Sequence, residues 1–405
     1  MKFPTPRGPR STAAWVALIG SLTALPAFTT DMYLPSLPDV ARDLGATEAA
    51  AQLTLSVMLV GAAAGTLVIG PLSDRFGRRR PLLLGIAGHV LTSLLAIVVP
   101  TIETLVALRL VQGFFNAAAS VIAMAVIRDR FEGVAAAQMF SRLMLIIGLS
   151  PLLAPTLGSL VASLGGWHLT FAALAVMGVG LGAAVVWLLP ETHPRAARTG
   201  GGVKEALRGY RTVLRDRQFV VLAFIPGLGM AVIMSYVVGS PFVFQEGFGL
   251  SSAQFSLLFA VNGIGLVASA QVNAALVRRV APLRLLRTAL VVQLAFVASL
   301  VVLAATGTGG LLGVLVALWL TLGMQGFVPA NASALALTRH GERAGTASAV
   351  IGGFQTGVAG VVSPLVGVLG AGALAMSSVM AGAIALAIVL LALATPAFRR
   401  GHTFG

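Results

Sequence analysis

The sequence predicts an all-α integral membrane protein with twelve transmembrane helices in two six-helix halves. Hydrophobic residues make up 57% of the 405 residues and charged residues only 10%, far below the roughly one quarter that is usual in soluble domains. Apolar runs of about 20 residues, the length that crosses a bilayer, recur along the chain. The mean hydropathy of +0.95 agrees with a polytopic membrane protein.

The predicted spans follow the apolar runs in order. They are 14–37, 50–72, 81–100, 104–127, 138–164, 168–190, 218–242, 252–277, 283–305, 310–337, 344–370 and 373–396. We therefore divide the chain into an N-terminal tail (1–13), a first half (14–190), a linker (191–217), a second half (218–396) and a C-terminal tail (397–405). The first run is too long for a signal peptide and lacks a small-residue cleavage site, so we expect it to be retained.

The basic residues follow the predicted spans. The net charge is +14, and 25 of the 27 lysines and arginines lie in or beside segments that share one side of the membrane. Only Arg42 lies on the other side, and Arg109 lies within a span. By the positive-inside rule both termini are cytoplasmic. This distribution accounts for the positive charge, so we do not expect nucleic-acid binding.

A weak internal repeat supports the two halves. A shift of 200 residues places Ser56, Gly65, Arg78 and Arg79 on Ser256, Gly265, Arg278 and Arg279. Parallel repeats of this kind are typical of secondary transporters. In the linker, apolar residues recur at helical spacing between Val203 and Leu214, with basic residues on the other side. This pattern predicts an amphipathic helix lying on the anionic inner leaflet.

The composition argues against enzymatic and metal chemistry. The chain has no cysteine, and its five histidines are scattered without the spacing of a metal site. We find no second catalytic carboxylate and no serine–histidine pair. We therefore expect no metal, no catalytic residues and no cofactor.

The first span contains the most informative residue. Thirteen acidic residues are present, and Asp31 alone lies inside a predicted span. An ionisable residue within the membrane is costly and marks a functional site by default. The alternative is a water-exposed aspartate where the helix leaves the membrane, but the residues from Met32 to Leu37 are still largely apolar.

The fourth span carries a polar stripe. Arg109, Gln112, Gly113 and Asn116 are spaced to lie on one helical face, which must meet protein or water because lipid offers no partners. Arg109 and Asp31 lie at a comparable distance from the predicted outer ends of their spans. We expect them to couple electrostatically, directly or through water. His89 in the third span is interpreted as a packing residue rather than a proton relay.

Two further segments stand out in the first half. The loop from Gly70 to Pro81 is glycine-containing and basic, with Gly70 suited to close helix approach, Gly77 to a turn, and Asp74 to pairing with Arg78 or capping a helix. In the fifth span, glycines and prolines share a face. A simple packing groove accounts for the glycines, and the two prolines favour a kinked, hinge-like surface. These residues are Gly148, Pro151, Pro155 and Gly158.

The second half has no acidic residue within a span. It offers methionines and amides that fit a permissive, mostly neutral cavity, although each is common in ordinary helix packing. The residues predicted to line the substrate cavity are Tyr33, Gln112, Asn116, Met230, Met234, Asn262, Gln325 and Gln355.

Several of these sequence motifs resemble those of a known family. The sequence from Asp31 to Pro35, the loop from Gly70 to Pro81, the stretch from Arg109 to Gly113 and the stretch from Gly148 to Gly158 are similar to motifs of the major facilitator superfamily. The first and last of these point to the Bcr/CflA branch of twelve-helix bacterial drug:proton antiporters. The resemblance implies two pseudo-symmetric halves around a central cavity, a bacterial inner-membrane location and a monomer.

The resemblance also implies roles for individual residues. It makes Asp31 the proton-binding acid and Arg109 its coupled arginine, with the proton as the coupling ion. A cluster of inner charged residues would stabilise the outward-facing state. The loop motif supplies Gly70, Asp74, Arg75, Gly77 and Arg78 to this conformational switch, and the fourth span supplies Asp129.

The implied function is proton-coupled export of small, largely apolar compounds of the chloramphenicol or bicyclomycin type. The same fold leaves open a facilitator or proton symporter for a sugar or an organic anion. Such polar ligands need more hydrogen-bonding groups than these spans hold. A membrane-embedded enzyme or scaffold is a third alternative, with no catalytic constellation to support it.

Overall fold

The computed structural model describes residues 11–193, 202–340 and 343–394, and the regular elements in these ranges are helical. Some side chains within described helices, including that of Pro151, lie outside the described part. The predicted tails also lie outside it, over residues 1–10 and 397–405.

The helices follow the apolar runs of the sequence. Those before the linker are α1 (Thr12–Asp31), α2 (Leu37–Asp43), α3 (Glu48–Phe76), α4 (Arg79–Ala96), α5 (Ile102–Arg130) and α6 (Gly133–Leu188). The later helices are α7 (Gly202–Leu214), α8 (Arg217–Pro241), α9 (Ser252–Leu276), α10 (Pro282–Thr306), α11 (Gly310–Gly323), α12 (Val328–Leu337), α13 (Ala344–Val362), α14 (Leu365–Val368) and α15 (Ala373–Ala394).

Ten helical segments of the described chain are long and apolar enough to cross a membrane, so the count of twelve spans stays a prediction. Helix α4, at the predicted third span, has 18 residues and is not among the ten. The predicted fifth and sixth spans join in α6, whose backbone leaves helical geometry at Gly165 and Gly166. Gly166 has φ +72, a conformation that glycine adopts without a steric penalty.

The first span ends later than predicted. Helix α1 stops at Asp31, a 3₁₀ turn covers Leu34–Ser36, and α2 continues to Asp43, beyond the predicted end at residue 37. Pro35 and Pro38 stand in the first turns of these new segments, where their missing N–H groups cost no hydrogen bond. The prolines therefore restart the helix instead of ending the span.

The chain forms two compact units, the first comprising residues up to Ala206 with Ser251–Ala260, and the second the remainder. In the first unit, α5 packs against α1, α3 and α4, and α6 packs against α1 and α4. Glycines bring α3 and α5 together. A β-carbon at Gly61 would lie 2.0 Å from the carbonyl oxygen of Leu110, and one at Gly113 would lie 1.9 Å from that of Met58.

The predicted close approach at Gly70 is wrong. A β-carbon at Gly70 would meet Val121 Cγ1 at 3.9 Å, which is ordinary van der Waals contact. The glycines that require close packing lie earlier in α3, where α3 and α5 touch backbone to backbone. Gly77 does supply a turn, because its φ of +89 suits glycine alone.

In the second unit, α8 packs against α12, α13 and α15, and α10 packs against α11 and α15. Asp216 caps the N-terminus of α8 by accepting hydrogen bonds from the backbone N–H groups of Gln218 and Phe219 at 3.0 and 3.2 Å. The linker contains α7, at the position of the predicted amphipathic helix, with Leu207 and Leu214 exposed.

Candidate functional site

Asp31 lies at the end of α1, where the helix gives way to the 3₁₀ turn. Its exposed fraction is 8%, and among the described residues its carboxylate has neither a hydrogen-bond donor nor an ion-pair partner. A buried carboxylate without a partner is costly in its charged form. Such a group can take up and release a proton.

Arg109 is fully buried in α5 and is held by four contacts. Its Nη1 donates to Gln112 Oε1 at 2.7 Å, and its Nη2 donates to the backbone carbonyl of Thr29 at 3.2 Å. Its guanidinium carbon also lies 4.8 Å from the ring centroid of Tyr33 and 5.6 Å from that of Phe171. These aromatic faces attract the cation where water is excluded.

The structure brings Asp31 and Arg109 to the same part of the first unit without an ion pair between them, as far as the described residues show. The guanidinium contacts the carbonyl of Thr29, two residues before the acid. The contact to α1 is therefore made with backbone, and the carboxylate of Asp31 stays unpaired.

The polar stripe of α5 is buried as predicted. Gln112 and Asn116 are each 1% exposed. The amide of Gln112 is used within the first unit, because Nε2 donates to Ser93 Oγ in α4 at 2.8 Å. Both amide atoms of Asn116, which lies beside the ring of His89, are buried without a well-formed hydrogen bond in the described part. Of the two amides, that of Asn116 therefore keeps more hydrogen-bonding capacity for another molecule.

His89 is fully buried, and its Nε2 lies 3.3 Å from the carbonyl oxygen of Leu174 in α6. A carbonyl oxygen can only accept, so Nε2 carries a hydrogen and donates it to Leu174. This geometry fits the predicted packing role.

Aromatic residues connect the arginine to the far end of α2. The ring of Phe171 lies 5.4 Å from Tyr33 and 5.9 Å from Trp167, between ring centroids. Trp167 is 1% exposed, and its Nε1 donates to Asp43 Oδ2 at 2.9 Å. The last turn of α2 is thereby tied to the part of α6 that follows the glycine break.

The fifth-span motif contacts the backbone directly after Asp31. A β-carbon at Gly158 would lie 2.0 Å from the carbonyl oxygen of Met32, the residue after Asp31. The carbonyl of Pro155 accepts a hydrogen bond from Ser256 Oγ at 3.2 Å, also within the first unit. The non-helical angles inside α6 occur at Gly165 and Gly166 and not at the motif's prolines. Gly148 is half-buried in the same helix.

The predicted inner cluster centres on Arg78. Its Nε donates to Asp129 Oδ2 at 2.8 Å and its Nη1 to Ser73 Oγ at 2.8 Å, and it also pairs with Asp74. Burial opposes the charge, but the hydrogen bonds that Arg78 donates to Asp129 and Asp74 outweigh it and raise the pKa of Arg78 above its usual value. Arg75 is separate from this cluster, because its side chain is exposed and lies over the ring of Phe76.

Glu191 completes this cluster, although it is not among the residues predicted from the sequence. Its two carboxylate oxygens accept hydrogen bonds from the backbone N–H groups of Arg78 and Arg79 at 2.8 and 3.3 Å. The carboxylate thus caps the start of α4, a role that the sequence suggests for Asp74. The signal that could have indicated it is an acidic residue directly after the last apolar run of the first half.

The residues proposed for the second half differ in exposure. Asn262 and Gln325 are buried and bonded within the second unit, to the hydroxyl of Tyr236 at 3.0 Å and to the carbonyl of Gly229 at 2.9 Å. Met230, Met234 and Gln355 are half-buried. The two buried amides therefore hold helices together, and the three half-buried residues remain the better candidates for ligand contact.

Known proteins resemble this chain in sequence and in fold. A sequence model of the Major Facilitator Superfamily matches residues 19–364. The chain is 36% identical over 366 residues to the MFS-type transporter YdgK of Bacillus subtilis, covering 90% of each chain. It is 30% identical to a bicyclomycin resistance protein homolog of Haemophilus influenzae, covering 88% of this chain and 89% of that one.

A solved structure shares the fold. The crystal structure of a D-xylose-proton symporter superimposes with a TM-score of 0.74 at 18% identity, covering 94% of this chain and 97% of the other. At that identity the similarity concerns the arrangement of helices and not the cargo.

Proposed function

The chain belongs to the Major Facilitator Superfamily, and from that premise we propose that it is a proton-coupled antiporter that exports small, largely apolar drugs. It is a transporter and not an enzyme. The proposed cargo is of the bicyclomycin or chloramphenicol type. The relative named for bicyclomycin resistance supports this choice.

The observation that carries the proposal is the unpartnered carboxylate of Asp31. A residue that served only the fold would be paired, since a lone buried charge is costly. Asp31 instead stands at a break in its helix, next to the backbone that Arg109 contacts. A buried carboxylate without a partner is costly in its charged form, so changes in charge or hydration around the site shift its proton occupancy.

The proposed cycle exchanges one proton for one drug molecule. Drug entry from the cytoplasm favours loss of the Asp31 proton, and reprotonation from outside returns the carrier to its inward-facing state. Each proton that enters contributes about 2.3 kcal/mol per 100 mV of membrane potential, which supports more than a tenfold gradient of a neutral drug. The site of action is the bacterial inner membrane, with both termini in the cytoplasm and the protein as a monomer.

The inner cluster supports the alternating-access part of this cycle. Arg78 joins the α3–α4 turn to Asp129 at the end of α5. These ends all lie in the first unit, so we propose that the ion pair holds them together as one body in the outward-facing state, the role that the resemblance implies for this cluster.

The test is transport by purified protein in proteoliposomes, with chloramphenicol as the probe and a pH-sensitive dye. Wild-type protein is expected to acidify the medium when drug is added outside, and Asp31→Asn is expected to abolish this proton movement. Asp39→Asn is the matched control, because Asp39 is half-exposed in the same span and pairs with Arg42. Proton movement in Asp31→Asn equal to that of wild type would reject the role of Asp31.

The direction of proton movement separates export from symport. A proton symporter of a sugar or an organic anion would make the medium more alkaline when its substrate is added. The xylose symporter shares only the fold with this chain, and the buried amides of the second unit are bonded to protein. Both observations favour drug export.

A further inference from the structure

We infer that Ser93 in α4 is a positioning residue for Arg109, acting through Gln112 to fix the guanidinium relative to Asp31. The hydrogen bonds that join Ser93, Gln112 and Arg109 do not depend on the proposed function, whereas the importance of Ser93 for transport rests on it. The sequence motifs described above do not include Ser93.

The hydroxyl of Ser93 donates one hydrogen bond and accepts another. Ser93 Oγ donates its one proton to the backbone carbonyl of His89 at 2.8 Å. Its lone pair is therefore free to accept, and it accepts from Gln112 Nε2 at 2.8 Å. Ser93 thus holds the amino end of the Gln112 amide.

The other end of the amide holds Arg109. Because a guanidinium can only donate, the oxygen of Gln112 must face Arg109, and it accepts from Nη1 at 2.7 Å. Ser93 and Arg109 therefore require the same orientation of one amide, and each makes the alternative orientation unfavourable. Ser93, Gln112 and Arg109 are all 1% exposed or less, so water does not compete for these groups.

The hydrogen bonds that lead from Ser93 through Gln112 to Arg109 end close to Asp31. Arg109 Nη2 donates to the carbonyl of Thr29 in α1 at 3.2 Å, two residues before Asp31. The bond from Gln112 and the contact with Thr29 together restrain the guanidinium beside the end of α1, where Asp31 lies. Two other titratable side chains face this arginine, Tyr33 beneath the guanidinium and His89 in α4.

Loss of the Ser93 hydroxyl has a definite consequence. Ser93→Ala leaves Nε2 of Gln112 as a buried donor without its acceptor, which is costly, so the side chain turns away. Arg109 then loses its Nη1 acceptor and gains freedom to pair with the carboxylate of Asp31. Pairing favours the ionised acid over the protonated one.

The test measures the protonation of Asp31 by chemical labelling and does not depend on transport. An apolar carbodiimide modifies protonated carboxylic acids in apolar surroundings, and mass spectrometry locates the adduct. We expect wild-type protein in membranes to be modified at Asp31 and Ser93→Ala about tenfold more slowly, as one buried unsatisfied donor shifts the balance by roughly that factor. Asp31→Asn identifies the adduct.

The adjacent residue provides the matched control. Thr92 is also buried in α4, but its hydroxyl donates only to the carbonyls of Gly88 and His89 in its own helix. Thr92→Ala is expected to label like wild type, and Ser93→Thr, which keeps the hydroxyl, is expected to restore labelling. Thermal unfolding in detergent shows whether each variant is folded.

A double-mutant cycle with Gln112→Leu tests the route of action. If Ser93 acts through the amide, Ser93→Ala has no further effect on labelling once Gln112 is replaced. Independent effects that multiply would overturn the inference, as would equal labelling of Ser93→Ala and wild type. Absence of drug-dependent proton movement in wild type would reject the proposed function and leave this result standing.

Discussion

The backbone carbonyl of Met32 packs directly on the α-carbon of Gly158, so that a β-carbon at position 158 would stand 2.0 Å from that oxygen. This contact joins the fifth-span motif to the helix break that begins at Asp31. A shift of this part of α6 would therefore displace the backbone next to Asp31, the residue that we propose binds the proton.

The first prediction concerns Gly158→Ala. The added methyl group meets backbone that cannot rotate away, so we expect α1 and α6 to separate at a cost of about 1–3 kcal/mol. Thermal unfolding in detergent should show the loss of stability, and drug transport should fall with it. Gly180→Ala in the same helix is the control, because a β-carbon there meets nothing within 4 Å. Equal stability of the two variants would contradict the contact.

Arg109→Lys should lower drug transport by at least about tenfold although the charge is kept, since a lysine cannot reproduce the planar fork and the stacking of a guanidinium. A lysine reaches either Gln112 or the carbonyl of Thr29, and it loses the two aromatic faces. Initial rates in proteoliposomes measure this effect. Arg42→Lys, at an exposed site in the same unit, should transport like wild type.

Trp167→Phe should lower the free energy of unfolding by about 1–3 kcal/mol, because it removes one hydrogen bond and leaves a small void where the larger ring packed. The bond lost is the one from Nε1 to Asp43. Trp187→Phe provides the comparison in the same helix, since Trp187 is 73% exposed. A destabilisation of Trp187→Phe as large as that of Trp167→Phe would show that the hydrogen bond adds nothing.

A pH-dependent prediction concerns Asp216, which pairs with Arg339 at 2.7 Å. Burial opposes ionisation, but the hydrogen bonds from Arg339 and from the backbone of Phe219 and Gln218 outweigh it and hold the pKa of Asp216 below its usual value. A depressed pKa in the folded state contributes stability above the unfolded pKa, and this contribution is lost as the pH falls through the folded pKa.

Asp216→Asn isolates this contribution, because asparagine is also a good helix cap. The variant should be less stable than wild type at neutral pH, and the difference should disappear in acid below the range in which Asp216 titrates. Unfolding measured across pH in detergent checks this. A difference that is constant down to acid pH would show that the charge of Asp216 contributes nothing.

Several site residues could be predicted from the sequence because they are charged or polar and lie within apolar runs. Asp31 and Arg109 are charges inside apolar runs, and Gln112 and Asn116 recur on the arginine's helical face. Burial of these side chains follows from periodicity alone, since lipid offers no partners to polar groups.

The side chains and carbonyls that contact these residues could not be predicted from the sequence. Arg109 is held by the carbonyl of Thr29 and the ring of Phe171, and Ser93 is one of many serines in apolar helices. Backbone carbonyls and aromatic faces carry no sequence signature. Glu191 caps a helix that begins 112 positions earlier, which only the folded chain reveals.

The sequence by itself determined that this is a membrane transporter of helical spans with one acid and one arginine buried in the first half, because hydropathy and charge act locally along the chain. The tertiary structure decided that the acid and the arginine do not form an ion pair, that helices approach closely at glycines such as 61, 113 and 158, and that Ser93 joins the hydrogen bonds around the arginine. These facts depend on which helices pack together and at what register, and that choice is made by contacts between residues far apart in the chain.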